Sequence, residues 1–141
     1  MVLKRVNYLL SEINAVYREA SSALGISDSV MQILYTICNY GDSCLLGDIL
    51  RMTGLPKQTV NSALRKLEGE GIVYLRSAEK KKKSVHLTEK GKSLASATVL
   101  RLMEMENAVF DSWTAEERQS YLRLNQKYLN QFKETIKELK Q

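Results

Sequence analysis

Apolar residues recur at three- and four-residue steps from the start of the chain, at Val2, Val6, Leu9, Leu10, Ile13, Val16, Tyr17 and Ala20. This spacing collects side chains on one stripe of an α-helix, which is predicted to end near Gly25. Ser27 or Asp28 can cap a second helix through Val30, Ile33, Leu34, Ile37 and Cys38, which the turn-forming run Asn39-Tyr40-Gly41-Asp42 stops. A third, short helix is predicted over residues 45–52, and Gly54 breaks it. Leu55-Pro56 then opens a fourth, because proline in a first helical turn removes an N–H that would have had no intrahelical partner. From Pro56 on, Val60, Ala63, Leu64 and Leu67 fall on one face, with Lys57, Gln58, Asn61, Ser62 and Arg65 opposite.

After Gly71 the period changes. Ile72, Val73, Tyr74, Leu75 and Arg76 read as one strand and residues 84–87 as another, joined by a segment holding Lys80, Lys81, Lys82 and Lys83. Two helices joined by a tight glycine turn and followed by such a hairpin form a winged helix-turn-helix, the hairpin being the wing. Thr88 can cap a long helix over 89–111, which Ser112-Trp113 interrupts. Thr114-Ala115-Glu116-Glu117 matches the capping box, in which hydroxyl and carboxylate satisfy orphan N–H groups reciprocally. The last helix carries Tyr121, Leu124, Tyr128, Phe132, Ile136 and Leu139 on a stripe.

The expected fold is therefore mainly α with a small β-hairpin wing (α+β), in one domain over 1–141. Residues 27–88 form its winged helix, 89–111 a linking helix, and 1–24 and 112–141 dimerisation helices. The terminal apolar stripes exceed what a winged helix can cover, and a second copy is the simplest surface for them. A symmetric homodimer is predicted, with Val6, Leu9, Ile13, Tyr128, Phe132 and Ile136 at its interface.

Composition narrows the function. With 141 residues, 44% hydrophobic and 26% charged, the chain can bury a core of its own. Cys38 and Cys44 with the single histidine, His86, cannot supply four zinc ligands, so no metal or cofactor is expected. The N-terminal segment carries Glu12 and Glu19 where a signal peptide needs an uninterrupted apolar core, and no apolar run approaches a bilayer span. A cytoplasmic protein with reduced thiols and no membrane partner is expected. Phosphate-loop, dinucleotide, zinc-protease and serine-elbow motifs are all missing, which argues against an enzyme.

Charge is segregated along the chain. Residues 51–92 hold eleven Lys or Arg against four Glu, a balance of +7, which leaves −2 for the rest of a chain whose formal charge is +5. A basic middle between slightly acidic flanks points to a polyanion-binding face. No acidic residue occurs over 51–67, whereas an ordinary solvent-facing helix side would be richer in Glu. Gln58, Asn61 and Arg65 are the candidate base readers, since amide and guanidinium groups can make paired hydrogen bonds to base edges. Pro56, Lys57, Thr59 and Ser62 belong to the same contact, with Lys57, Thr59 and Ser62 suited to phosphates. A bare run of lysines specifies only a solvated loop. On a wing beside double-stranded DNA, however, Arg76, Lys80, Lys81, Lys82 and Lys83 would neutralise phosphates and release counterions. A winged helix used for protein–protein contact is the alternative, but such a helix would display an apolar or aromatic anchor.

The stretch GLPKQTVNSALRKLEGEGIVYLR followed by SVHLTEKGKSL resembles the MarR family of bacterial transcriptional regulators, and the resemblance extends over essentially the whole chain. Its pieces are a recognition helix, a Leu-Glu-x-x-Gly-Ile exit, a strand, a wing and a Leu-Thr-x-x-Gly start to a long helix. The resemblance implies a dimer of winged helices, each placing residues 56–70 in the major groove and its wing against the minor groove or backbone. It also implies regulation of transcription, repression being the common mode, at a roughly palindromic operator. Family wings carry an Asp-x-Arg pair that looks like Glu79 and Lys81 here. Lysine lacks the planar fork of arginine, so phosphate attraction is expected to outweigh groove reading.

Family members respond to small aromatic acids, phenols or peroxides, which admits a small aromatic or phenolic effector without naming one. Peroxide-sensing members use a cysteine near the start of the chain, whereas Cys38 and Cys44 lie later and have no basic neighbour to activate them. Tyr8, Tyr17, Tyr35 and Tyr40 could line a pocket, although tyrosines at helical spacing are more often core or interface. His86 reads as a surface residue and Trp113 as a packing anchor.

Overall fold

The structure is a computed structural model and describes residues 1–77 and 79–141. Ten regular elements follow one another: α1 (Val2–Leu24), α2 (Asp28–Asn39), β1 (Ser43–Leu45), α3 (Leu46–Thr53), α4 (Lys57–Gly69), β2 (Val73–Ser77), β3 (Lys83–Leu87), α5 (Glu89–Ala97), α6 (Val99–Asp111) and α7 (Ala115–Thr135). Short 3₁₀ segments cover Glu79–Lys81 and Ile136–Lys140. The chain forms two compact units, Met1–Met103 and Glu104–Gln141.

In the first unit α2 is the centre of the core. Ser27 caps it, its hydroxyl accepting the Val30 N–H at 3.2 Å, and Ile33, Leu34 and Ile37 are completely buried. Around them lie Ile49 of α3, Val60, Leu64 and Leu67 of α4, and Val73, Val85 and Val99. Each such side chain stabilises the fold by about 1.5–3 kcal/mol relative to exposure. Because α4 commits its apolar stripe to this core, its polar face must look outward.

Three sequence expectations change in the first unit. The sheet has three strands in the order β1-β3-β2, all antiparallel, with Cys44 opposite Val85 and Leu75 opposite Val85 from the other side. β1 was not anticipated: three residues carry no readable period, and the free edge of β3 recruits them. The single helix expected over 89–111 is two, broken at Thr98, whose φ of −126° and ψ of −92° leave the helical region. Thr98 is buried, and its hydroxyl donates to the Leu94 carbonyl at 2.7 Å, a back-bond that bends helices. Pro56 stands at the N-cap of α4 with an extended ψ of 142°, outside the first turn, and its carbonyl accepts the Val60 N–H at 3.1 Å.

One junction fixes the mutual placement of α4, the wing and α5. The Ile72 N–H donates to the Leu67 carbonyl at 2.8 Å as the chain leaves α4. The Thr88 N–H donates to the Ile72 carbonyl at 3.0 Å, and the Thr88 hydroxyl donates to the Gly71 carbonyl while accepting the Gly91 N–H at 2.9 Å. A Cβ added to Gly91 would overlap the Ile72 carbonyl oxygen. Only glycine lets α5 start this close to the turn.

In the second unit the capping box is complete. The Glu117 N–H donates to the Thr114 hydroxyl at 3.1 Å, and the Thr114 N–H donates to a Glu117 carboxylate oxygen at 2.9 Å. Phe110, Trp113 and Tyr121 pack around the turn, with Phe110 and Tyr121 each 5.0–5.4 Å from Trp113 in edge-on geometry. Arg118 clamps the same turn by donating to the Phe110 and Trp113 carbonyls. α7 buries no residue, and it passes into the 3₁₀ segment at Ile136, short of the continuous stripe expected through Leu139.

Replacing Gly91 by Ala should lower the unfolding free energy by about 1–3 kcal/mol in a urea titration, the usual cost of forcing atoms into a packed site. The Thr114 backbone N–H, and after it the Thr114 side chain, hold the Glu117 carboxyl below the usual carboxylate range. A depressed folded pKa means the cap is fully present above the ordinary value and is lost as pH falls through the lowered one. Helicity measured on acidification should therefore fall as pH drops through the lowered value in wild type, and Glu117→Gln, which cannot titrate, should lack that step.

Candidate nucleic-acid interface

The outward side of α4 is built by the burial of its inward side. Gln58, Ser62 and Arg65, at i, i+4 and i+7, stand in line on the exposed face. Asn61 lies on the flank and is half-buried, so of the three expected base readers it reaches least far. Pro56, Lys57 and Thr59 are exposed around the start of the helix. That first turn has no acidic residue and no side-chain cap, so no side chain of the helix's own start offsets the positive end of its dipole. Gly54, with φ of 64°, supplies the left-handed turn between α3 and α4. The Thr53 hydroxyl secures it by donating to the Ile49 carbonyl at 2.7 Å and accepting the Leu55 N–H at 3.3 Å.

The wing tip has an unusual backbone. Lys80 and Lys81 both have positive φ, 61° and 62°, and the Lys82 N–H reaches the Glu79 carbonyl at 3.4 Å. Tight hairpins with two left-handed central residues normally carry Asn-Gly, and each bulky residue held there costs about 1–2 kcal/mol. A tip that combines this strain with mutual repulsion of exposed lysines is not arranged for stability, a pattern that accompanies function. Lys83 begins β3 and is exposed. Arg76 extends from β2 with its guanidinium 5.8 Å from the centre of the Tyr74 ring. Tyr74 stacks on His86 at 4.9 Å and 13°, and the His86 Nε2 lies 2.8 Å from the Ser84 hydroxyl. The histidine is thus part of a cross-strand stack.

Ion pairs among the described residues join Arg51 to Asp48, Lys92 to Asp42 and Glu89, and Lys137 to Glu134. Lys57, Arg65, Arg76, Lys80, Lys81, Lys82 and Lys83 take part in none of them, so their charge is directed outward.

Cys44 is buried on β1, and Cys38 is half-buried. Burial, with Asp48 nearby, pushes the Cys44 thiol up to about 11, and burial with Asp42 nearby raises Cys38. Both shifts disfavour the thiolate. Among the described residues no group of His, Cys, Asp and Glu is placed to hold a metal ion, and no described helix is long and apolar enough to cross a membrane.

A cavity of about 660 Å³ lies in the first unit, lined by Asn14, Tyr17 and Arg18 of α1, residues of α2 from Asp28 to Asn39, and Met52 and Thr53 of α3. Of the four tyrosines singled out in the sequence, Tyr17 and Tyr35 are in its wall; Tyr8 and Tyr40 are exposed elsewhere. Arg18 and Thr53 were missed. The available signal was the polar series Gln32, Tyr35, Thr36, Asn39, a stripe at helical spacing beside the buried one. Of the expected dimerisation residues, Val6, Leu9 and Ile13 are exposed on α1, Tyr128 and Phe132 are exposed on α7 with rings 5.5 Å apart, and Ile136 is half-buried.

Residues 24–84, from the end of α1 into β3, match the MarR family. The uncharacterized HTH-type transcriptional regulator YwhA of Bacillus subtilis (strain 168) is 29% identical over 92 residues, which span 64% of this chain and 66% of that protein. The fold is similar to that of NMB1585, a MarR family regulator from Neisseria meningitidis, with a TM-score of 0.81, 23% identity, and coverage of 100% of this chain and 99% of that one. A MarR family transcriptional regulator from Silicibacter pomeroyi is 25% identical, with a TM-score of 0.69 over 89% of this chain and 86% of that one.

Substituting Lys80 by Asn and Lys81 by Gly should raise the melting temperature, since about 1 kcal/mol or more of backbone strain is relieved; an unchanged value would show that the tip is not strained. Alkylation of Cys44 at pH 7.5 should proceed about a hundredfold more slowly than that of a thiol with the ordinary value, and accelerate up to about pH 11.

Proposed function

Because residues 24–84, the winged-helix segment, match the MarR family, we propose that the chain regulates transcription by binding duplex DNA as a homodimer, with no catalytic step of its own. The observation that carries this reading is the outward face of α4, where Gln58, Ser62 and Arg65 stand in line above a first turn free of acidic residues. In the major groove, Arg65 and Gln58 read base edges, and Asn61 contributes from the flank. Lys57, Thr59 and Ser62 take phosphates, and the N-terminus of α4 after Pro56 faces another. On the wing, Arg76, Lys80, Lys81, Lys82 and Lys83 attract the backbone with little sequence preference.

The apolar stripes support the dimer. Val6, Leu9 and Ile13 on α1, and Tyr128, Phe132 and Ile136 at the end of the chain, require a surface that a second copy supplies by symmetry. Two-fold symmetry implies a roughly palindromic operator with half-sites about one helical turn apart. Occupying a promoter there would block polymerase, so the protein acts in the cytoplasm as a repressor.

The cavity against α1 and α2 supports an effector. Arg18 offers a cation to an acid or phenolate, while Tyr17, Tyr35 and Met31 offer planar and apolar contacts. A small aromatic or phenolic acid fits this chemistry. Its route to DNA is short: the cavity wall includes Thr53, whose hydroxyl ties the last turn of α3 to Leu55, just before α4.

The test is binding to a mixed-sequence duplex across a salt series, followed by operator selection from a random pool. Replacing Lys80, Lys81, Lys82 and Lys83 by Ala should weaken binding to every duplex and flatten the log–log salt dependence by about 0.9 for each phosphate that is no longer neutralised. Arg65→Ala should cost about 1–3 kcal/mol on the selected operator and little on other sequences; equal weakening on all duplexes would sink its role as a base reader. Ile13→Glu should convert the dimer to monomer in sedimentation and abolish operator binding.

A further inference from the structure

A second depression flanks the recognition helix. It measures about 490 Å³ and runs between the start of α2, through Ser27, Ser29 and Val30, and one side of α4, through Pro56, Gln58, Thr59, Ser62, Ala63 and Lys66. We infer that this groove seats a sugar–phosphate segment of the bound duplex, with Ser29 and Lys66 holding one phosphate. The inference rests on the reading of α4 as a duplex-binding helix and enlarges the contact beyond α4 and the wing.

Continuity is the first argument. Gln58 and Ser62 belong both to the outward face of α4 and to the groove, so a duplex seated on that face brings its backbone to the groove's rim. Chemistry is the second. The polar groups of the lining are four hydroxyls, one amide and one ammonium; no carboxylate is among the described lining residues. That set donates hydrogen bonds and carries a single positive charge, as a singly charged phosphodiester requires. The same residues include no aromatic ring, so the groove offers nothing for a base to stack on.

Individual roles follow from the hydrogen bonds. The Ser27 hydroxyl accepts the Val30 N–H and lies 3.3 Å from the Ser29 hydroxyl; with the Ser27 proton donated across that contact, the Ser29 proton is free to turn outward. Lys66 is exposed on the opposite wall and enters no ion pair among the described residues. The ammonium of Lys66 and the hydroxyl of Ser29 thus flank the groove from two different helices, which makes the contact sensitive to how α2 and α4 are packed.

A phosphate contact carries no sequence information, so the test needs no operator. Wild type, Ser29→Ala, Lys66→Gln and the double variant are titrated with a mixed-sequence duplex from low to high salt, with melting temperatures confirming that each is folded. The double variant should lose affinity by the same factor on every duplex, and its log–log salt slope should be shallower by about 0.9, the value for one phosphate. Lys66→Gln alone, a change at an exposed position, should account for most of the slope. If wild type binds and both slope and affinity survive in the double variant, the groove is not a phosphate site and the α4 reading stands. If wild type fails to bind any duplex at low salt, both are overturned. On a selected operator, a single neutral methylphosphonate at the contacted phosphate should weaken wild type and leave the double variant unaffected; equal weakening of both would reject the assignment.

Discussion

The Ile72 carbonyl is the point at which α4, the β2–β3 hairpin and α5 are joined. It receives the Thr88 N–H as the chain leaves β3, and it lies so near α5 that residue 91 can carry no side chain. The same turn is tied to the end of α4 through the Ile72 N–H and the Leu67 carbonyl. α4, the β2–β3 hairpin and α5 are therefore held by a few backbone hydrogen bonds around one peptide group. Such bonds are directional, which a hydrophobic contact is not, and the angle between α4 and the hairpin follows from them.

Stability and function are divided between opposite faces of the same elements. α4 buries Val60, Leu64 and Leu67 and presents Gln58, Ser62 and Arg65; the sheet buries Val73, Val85 and Leu87 and presents Tyr74, Arg76 and His86. The interior supplies the free energy of folding, so the outer faces are free to be poorly arranged for it. The left-handed lysines at the wing tip show how far this goes. Strain and repulsion of order 1 kcal/mol each are tolerable on a core of completely buried aliphatic side chains.

The two depressions beside α2 relate to α4 differently. The larger one reaches the turn before α4 through Thr53, and the smaller one borders α4 itself through Thr59, Ser62 and Lys66. α2 is common to both. Its buried stripe centres the core, while its polar N-terminal turn and its polar flank each open onto one of the depressions. A ligand that altered the packing of α1 against α2 would act on the helix that also shapes the groove beside α4.

By itself the sequence determined what depends on near neighbours in the chain. The helices at 3.6-residue spacing, the Thr88 and Thr114 caps, a cap at Ser27 or Asp28, the change of period after Gly71 and the basic, acid-free character of the middle segment were all legible, because each is set by residues near one another in the chain. The two pieces that resemble the MarR family, Leu-Glu-x-x-Gly-Ile and Leu-Thr-x-x-Gly, were legible as text, but not as the two halves of one junction. Tertiary structure alone decided what depends on residues distant in sequence. β1 exists because β3 has a free edge, and Thr98 breaks a helix whose periodicity runs on through it. Cys44 is buried because a strand carries it inward, and Asn61 loses reach because the helix rotates it to a flank. Arg18 and Thr53, or Ser29 and Lys66, come to share a wall only when helices pack, and packing is a long-range outcome that no local pattern of residues encodes.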